Sequence, residues 1–186
     1  MANERTHLRG AVLTEDRRTE RFIRALLEKL GFNKSNFRFL TAPAGEGDAC
    51  AWVRLQYPSE VRLMRRKRYQ RLALIAVRDG DNQGILHRKS EMDKELGQAG
   101  LRPRQKNELI VLPVPTWSIE TWLLGLPGVD QIDEMDDKKR EFEKRCPGKD
   151  EGECIRSAAA EWPVMADRYP SVPSLADSKT ELQRIQ

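Results

Sequence analysis

The stretch Arg71-Leu72-Ala73-Leu74-Ile75-Ala76-Val77-Arg78-Asp79-Gly80-Asp81 decides the fold of this chain. Its apolar run, residues 72–77, is too short for an ordinary helix and is β-branched towards its end, which predicts a buried parallel strand. Two carboxylates, Asp79 and Asp81, follow the run. In extended backbone, residues two apart point to the same side, and Gly80 between them lets the chain bend.

Two carboxylates this close repel each other, so each favours protonation or a shared cation. A hard divalent ion such as Mg²⁺, held by one or two carboxylates and several waters, meets that need. The competing interpretation is a polar strand-to-helix turn in which an aspartate caps the next helix. Asp-x-Asp alone does not separate the two, so the rest of the chain has to decide.

A second unit of strand and carboxylate lies near the N-terminus. Residues 8–14 contain a short apolar segment and run into Glu15 and Asp16. Apolar side chains then recur at helical spacing up to Gly31, which is placed where a helix ends. This pattern predicts a strand, a carboxylate and a helix in that order, with Thr14 or Asp16 as the helix cap.

Two more strands are predicted at residues 36–40 and 109–114, and helices are predicted at 48–64 and 84–97. Pro58 is expected to break or kink the first of these helices. Strands that alternate with helices favour an α/β fold with a mainly parallel sheet of about four strands. We expect the first, third and fourth strands to be adjacent and parallel.

This α/β domain is expected to cover residues 1–125, and residues 126–186 are expected to form a helical and irregular extension packed on it. A helix is predicted to start at Thr116, and the highly charged segment that follows predicts a solvated helix or loop. The remaining predictions are an irregular connection at 146–154, a short helix at 157–162 and a final helix at 175–185.

The composition excludes several classes of protein. The chain has 186 residues, of which 33% are charged and 39% hydrophobic, which fits one polar globular domain rather than a disordered chain. It has neither a run of about 18 apolar residues nor an apolar N-terminal segment, so we expect a cytoplasmic protein that does not enter a membrane. The odd number of cysteines, Cys50, Cys146 and Cys154, predicts reduced thiols, and their spacing from His7 and His87 does not suit zinc.

Four acidic side chains share one context at the ends of predicted strands. Glu15 ends the first strand, Asp79 and Asp81 end the third, and Glu120 lies just beyond the fourth. Open parallel sheets bind ligands at the carboxyl ends of their strands, and acids gathered there need a cation. Taken singly, Glu15 and Glu120 are also explained as charges near the N-termini of helices.

These residues carry a resemblance. The order of strand and Glu, helix, then apolar strand and Asp-x-Asp resembles the TOPRIM fold of topoisomerases, primases and OLD-type nucleases. Residues 14–20, TEDRRTE, look like its first motif, and residues 77–81, VRDGD, are similar to its second. Gly usually follows the Glu of the first motif, whereas Asp16 stands here. Either Glu15 or Asp16 could therefore be the matching acid, and Glu15, the first after the strand, is favoured.

Residues 115–123, PTWSIETWL, look like the third block of small TOPRIM-like proteins that are encoded beside ABC/SMC-type ATPases in bacterial defence loci. The resemblance covers residues 8–125. It implies a Mg²⁺- or Mn²⁺-dependent nuclease that hydrolyses DNA or RNA as the effector of an ATPase-linked antiphage system. An ATPase of that type is the implied partner, and the chain could also form oligomers.

The same resemblance implies roles for the acids. Asp79 and Asp81 would hold the metal, Glu15 would be a general acid, a general base or a further ligand, and Glu120 would complete the shell directly or through water. The chemistry has a physical basis, because a bound metal generates a nucleophilic water and neutralises charge on a phosphate. His7 and His87 are possible proton carriers, although a single histidine is more often structural or solvated.

A basic cluster precedes the third strand, with six basic residues among the ten at 62–71. We expect Arg65, Arg66, Lys67 and Arg68 to bind nucleic acid, since lysine and arginine neutralise phosphates and release counterions. A solvated helix face, or a partner for the acidic residues 130–137, remains the alternative. The tryptophans are expected in the core or an interface rather than as base-stacking platforms.

Two other functions stay open. One is a catalytically degenerate TOPRIM-like module that docks on an ATPase partner as an inhibitor or sensor. The other is an enzyme acting on small phosphorylated molecules, which a glycine-rich phosphate loop would favour. The sequence has no G-x-x-x-x-G-K-[ST] pattern.

Overall fold

A single parallel sheet organises the chain. The computed structural model describes residues 2–43, 48–67, 69–81, 83–126, 129 and 131–186, with backbone alone for 2–4. The strands are β1 (Arg9–Thr14), β2 (Phe37–Thr41), β3 (Leu72–Ala76) and β4 (Ile110–Val111), and the sheet order is β2-β1-β3-β4. All three pairings are parallel, so the predicted adjacency of β1, β3 and β4 is confirmed.

Helices cover both faces of this sheet. They are α1 (Ala2–His7), α2 (Arg17–Lys29), α3 (Ala49–Arg66), α4 (Ile85–Gln98), α5 (Glu120–Leu123), α6 (Lys139–Arg145), α7 (Glu151–Arg168) and α8 (Pro173–Leu182). Short 3₁₀ turns lie at Lys34–Asn36, Gly148–Asp150 and Gln183–Ile185. Among the helices described, none is long and apolar enough to cross a bilayer.

The central strands bury both of their faces, which explains why their sequence is continuously apolar. Val12 and Ile75 belong to one core with α2, α5, α7 and α8. Leu13 and Leu74 belong to a second core with α3 and α4. Successive residues of a strand therefore supply opposite layers, as the two-residue period of a strand requires.

The C-terminal segment forms much of the first core. The indole rings of Trp122 and Trp162 meet at 5.9 Å between centroids, and both side chains are buried. Trp122 Nε1 also donates a hydrogen bond of 2.8 Å to Ser174 Oγ on α8. The core position predicted for tryptophans is confirmed at these two residues.

Two prolines lie inside helices that continue past them: a break or kink was expected at Pro58, and an interruption of the chain at Pro163. Helix α3 continues through Pro58, and α7 extends over 18 residues and includes Pro163, where only a short helix at 157–162 was predicted. Proline removes one helical hydrogen bond and crowds the preceding turn. In α3, Val53, Tyr57 and Val61 are buried at four-residue spacing, so packing of one face outweighs that penalty.

The segment around the fourth strand is less regular than predicted. Only Ile110–Val111 forms β4, and α5 begins at Glu120 instead of Thr116. The backbone between them still pairs with the chain that follows β3, and it turns into α5 through the bonds from the Thr121 N–H to Ser118 and from the Trp122 N–H to Ile119. Pro113 and Pro115 have no N–H to donate to a ladder, which explains the short strand.

The prediction of reduced thiols is wrong for two of the three cysteines. Cys146 and Cys154 form a disulfide, whereas Cys50 is a free thiol. The segment 146–154 was expected to be an irregular connection. Instead a tight turn leads directly into α7 and brings the two Cα atoms to 6.2 Å, which is disulfide geometry.

Candidate active site

The parallel pairing of β1 and β3 brings two of the acids together. Leu13 lies opposite Ala76, so the residues that follow each strand leave the sheet at the same edge. The backbone N–H of Asp79 donates a hydrogen bond of 3.3 Å to Glu15 Oε1. Glu15 and Asp79 are therefore direct neighbours at the carboxyl edge, where open α/β sheets bind ligands.

Backbone contacts beyond β4 hold the Asp-x-Asp turn in place. The N–H of Gly80 donates to the carbonyl of Pro115 at 2.9 Å, and the N–H of Asp81 donates to the carbonyl of Trp117 at 3.0 Å. A Cβ on residue 80 would lie 2.0 Å from the carbonyl oxygen of Thr116. Glycine is therefore required here because the two backbones approach too closely for any side chain.

The sequence analysis expected the side chains of Asp79 and Asp81 to point to the same side of an extended chain, and the structure differs. Asp81 has a φ of 45°, in the left-handed region, so the chain has already turned at this residue. The Asp79 residue is 7% exposed, whereas the Asp81 side chain is 52% exposed and pairs with Arg88 at 2.8 Å. Asp81 lies at the rim of the site and Asp79 at its base.

Glu120 reaches the same edge from the first turn of α5. Its side chain is only 3% exposed, and Oε1 forms an ion pair with Arg18 Nη1. The other oxygen, Oε2, is buried and has no hydrogen-bond partner among the described residues. Arg18 Nη2 also binds Glu151 at 3.1 Å, so one arginine joins α5 to α7.

The acids perturb one another. Burial, followed by the negative charges of Glu15, Asp16 and Glu120, raises the pKa of Asp79 well above its usual value, while Lys139 opposes that rise. Burial also raises the pKa of Glu15 to about 7, helped by Asp81 and opposed by Arg78. Strongly shifted carboxyl groups in contact with one another are typical of functional sites.

Glu15 and Asp16 make different local contacts. Asp16 is the N-cap of α2, and its Oδ1 accepts the Thr19 N–H at 2.7 Å. The Glu15 carboxylate instead faces Asp79 and lies 3.9 Å from Arg78 Nε. Asp16 therefore supplies a cap and a nearby negative charge, and Glu15 is the acid that faces the site.

Sequence reasoning missed the cations around these acids. Arg78 is buried and binds Glu91 at 3.2 Å and Cys50 Sγ at 2.6 Å, and Arg88 joins Asp81 to Glu91. Arg18 lies in the first motif and Arg78 in the second, so the sequence already placed both arginines close to the predicted acids. Lys139, whose charge acts on Asp79 from the C-terminal segment, had no local signal.

The donor set suits a hard divalent cation in its chemistry. Buried carboxylate oxygens are the ligands that Mg²⁺ and Mn²⁺ prefer, and Glu120 Oε2 is a buried acceptor without a partner. Within the described residues, however, no group of three or more acidic, histidine or cysteine side chains is already close enough to hold a metal ion. Arg18 and Arg88 hold two of the carboxylates, so metal binding would need these side chains to rearrange.

The basic cluster lies at the opposite edge of the sheet, because it precedes β3 whereas the acids follow it. Arg65 is held by Glu108 through bonds of 2.6 and 2.8 Å and by the carbonyls of Arg102 and Pro103. Arg66 and Lys67 are exposed, and Arg68 lies outside the described residues. A cavity of about 910 Å³ beside Arg65 is lined by three arginines and by Tyr69, which is 78% exposed.

Both histidines that were considered as proton carriers are exposed. His7 is exposed at the end of α1, and His87 Nε2 lies 3.8 Å from Glu91 on the outer face of α4.

No family model, curated protein or solved structure matches this chain significantly.

Proposed function

We propose that this chain is a divalent-metal-dependent nuclease whose centre is the carboxyl edge of the sheet. The observation that carries the proposal is the environment of the Asp79 carboxylate. This carboxylate is buried beside Glu15, and burial, followed by the charges of Glu15, Asp16 and Glu120, raises its pKa well above the usual value. Burying a carboxylate among like charges is costly, and a site that binds a metal ion accounts for that cost.

The proposal assigns a role to each acid. Asp79 and Asp81 would hold Mg²⁺ or Mn²⁺, with Glu120 joining through its unpartnered Oε2. Glu15 suits a general base, because a pKa of about 7 lets it accept a proton near neutral pH. When bound, the ion would supply charge neutralisation and a more acidic water.

Nucleic acid is the proposed substrate because of the basic cluster. Arg71 and Asp79 are eight positions apart, so at about 3.3 Å per residue the two edges are roughly 26 Å apart. A nucleic-acid strand held at Arg66 and Lys67 would therefore reach the acids after about eight nucleotides of 3.4 Å each. DNA and RNA are both compatible with this spacing.

The assignment of the fold as TOPRIM-like is part of the same proposal. A four-stranded parallel sheet with helices on both faces is Rossmann-like, and the strand-end acids support its assignment as TOPRIM-like. The resemblance of residues 115–123 supports an ABC/SMC-type ATPase as partner in a cytoplasmic antiphage system. Cleavage would then be restrained until that partner releases it.

The test is cleavage of DNA and RNA by the chain, alone and with the ATPase, in Mg²⁺ or Mn²⁺ and in a chelator. Glu15→Ala should abolish cleavage. Asp16→Ala should retain it and cost about 1 kcal/mol of stability through the lost cap. The reverse ranking would make Asp16 the first-motif acid. Cleavage that ignores the chelator would exclude a metal-dependent reaction.

A second function, a catalytically degenerate binding module, is favoured by one specific observation. Arg18 and Arg88 already neutralise Glu120 and Asp81, as expected of a site that has lost its metal. Mn²⁺ binding measured by electron paramagnetic resonance separates the two functions. Saturable binding supports the nuclease, and no binding in the millimolar range supports the module.

A further inference from the structure

A second basic surface lies between α2 and α7, and we call it the α2–α7 cleft. It contains a cavity of about 460 Å³, and the described residues that line this cavity include one acidic side chain, Glu28, and five basic ones. The basic side chains are those of Arg21, Arg24, Lys34, Lys149 and Arg156. A concave surface with this surplus of positive charge attracts a ligand that carries several negative charges.

Two of these basic side chains are not neutralised by a carboxylate. Lys149 and Arg156 are exposed, and neither forms an ion pair within the part of the chain that the structure describes. A Cβ on residue 152 would lie 3.7 Å from Arg156 Nη1, so this guanidinium lies against the first turn of α7. Both side chains can therefore bind an external anion without first breaking an ion pair.

The cations on the other side of the cleft are held in place by their neighbours. Arg24 Nε binds Glu20 at 2.8 Å, and the Arg24 guanidinium lies 3.6 Å from the centroid of the Phe39 ring. Lys34 Nζ binds Glu28 at 2.7 Å. An arginine held in this way has further N–H groups in fixed directions, and its planar fork matches the oxygens of a phosphate.

The cleft leads to the candidate active site. Glu151 Oε1 lies 3.6 Å from Arg21 Nη1, and Glu151 Oε2 accepts a hydrogen bond of 3.1 Å from Arg18 Nη2. Arg18 also forms the ion pair with Glu120. Helix α2 begins at the carboxyl edge of the sheet, so Arg21 and Arg24 lie about 8 and 12 Å along its axis from its N-cap. The basic cluster at 62–71 is farther away, at the opposite edge.

We propose that the α2–α7 cleft binds the sugar–phosphate backbone of the nucleic-acid strand on which the acids act. The inference rests on the nuclease function proposed above. At about 3.4 Å per nucleotide, a phosphate bound beside Arg21 or Arg24 is about two to four nucleotides from the carboxyl edge. Phosphate contacts of this kind position a strand without reading its sequence. The basic cluster would hold the same strand farther from the acids.

The experiment measures binding of a fluorescently labelled DNA single strand to the full chain by anisotropy, in a chelator. Lys149→Gln and Arg156→Gln should each weaken binding about fivefold near 0.1 M salt and reduce the slope of log affinity against log salt by about 0.7. Lys94→Gln is the matched control, because Lys94 is an exposed lysine on α4, in the layer on the other face of the sheet. It should change neither affinity nor slope.

All three side chains are exposed, so the melting temperature should stay the same and a loss of binding would not reflect unfolding. An unchanged affinity and slope in the double variant Lys149→Gln/Arg156→Gln would overturn the proposal. So would saturable binding of inorganic phosphate by a chain that does not bind the strand, since the cleft would then suit a small phosphorylated molecule.

This measurement needs neither a metal ion nor cleavage, so it separates the cleft from the proposed function. Weaker binding by both variants, in a chain that never cleaves with Mg²⁺ or Mn²⁺, would remove the nuclease and leave the cleft as a strand-binding surface. Metal-dependent cleavage together with unchanged binding by both variants would remove the cleft and leave the nuclease.

Discussion

The backbone N–H of Asp79 donates a hydrogen bond to Glu15 Oε1, which joins the ends of β3 and β1 through the two central acids. The bond crosses 64 residues of sequence, and it exists because the two strands are parallel and adjacent. It holds the Glu15 carboxylate close to that of Asp79 despite their repulsion. The repulsion between these two carboxylates is the basis of the first two predictions.

Asp79→Asn should abolish cleavage and make the fold more stable. The substitution keeps the shape of the side chain and removes a buried charge whose pKa is raised by burial and by neighbouring acids. At pH 8 we expect the melting temperature to rise by about 2–4 °C, equivalent to roughly 1 kcal/mol for a chain of this size. Asp150→Asn, on the exposed turn before α7 where its side chain makes no cap hydrogen bond, is the control and should change neither property. A lower melting temperature for Asp79→Asn would contradict the assigned electrostatics.

The stability of the protein should fall as the pH rises through neutrality. Burial raises the pKa of Glu15 from 4.5 in the unfolded chain to about 7 in the folded protein, so the folded state binds this proton more tightly. Its contribution is fully present below about pH 4.5 and is lost as the pH passes 7.

Urea unfolding between pH 5 and pH 8 measures that loss, which should be on the order of 1–3 kcal/mol. Glu15→Gln should remove most of this pH dependence, because the amide does not titrate. Glu28→Gln, at a surface position that pairs with Lys34, should leave the dependence unchanged. An identical slope in Glu15→Gln and the unmodified chain would show that another group is responsible.

Gly80→Ala should be among the most damaging single-methyl additions. Its Cβ would lie 2.0 Å from the carbonyl oxygen of Thr116, so the backbone that carries Glu120 would have to move. We expect a loss of about 2–4 kcal/mol in urea unfolding, together with loss of cleavage. Gly97→Ala is the matched control, because it lies in α4 with open space around it. It should gain about 0.5–1 kcal/mol.

Within the basic cluster, we expect Arg65 to contribute to stability, and Arg66 and Lys67 to contribute to nucleic-acid binding. Arg65→Gln should mainly destabilise the fold, since it leaves the half-buried Glu108 without its forked partner. Arg66→Gln and Lys67→Gln should leave stability unchanged and weaken nucleic-acid binding. Fluorescence anisotropy from 50 to 200 mM salt should show the slope of log affinity falling by about 1 for each lost phosphate contact. Slopes that do not change would remove Arg66 and Lys67 from the interface.

Local sequence patterns were enough to predict the sheet and the edge at which Glu15 and Asp79 meet. The run 72–77 and the apolar segment of β1 are local patterns, and a strand buried on both faces leaves that signature without help from distant residues. Glu15 and Asp79 follow from the same reasoning, because parallel strands end at one edge. The continuation of α7 through Pro163 depended on packing, which a local pattern does not encode, whereas Pro113 and Pro115 could have predicted the short β4.

Which cations lie close to the acids became visible only in the folded chain. Arg18 meets Glu120 across 102 residues and Glu151 across 133, and Lys139 arrives on a segment that had been predicted only as a solvated helix or loop. The bond between Cys146 and Cys154 likewise required the turn that starts α7. Charge pairing acts through space and has no period along the chain, so such partners appear only once the helices have packed.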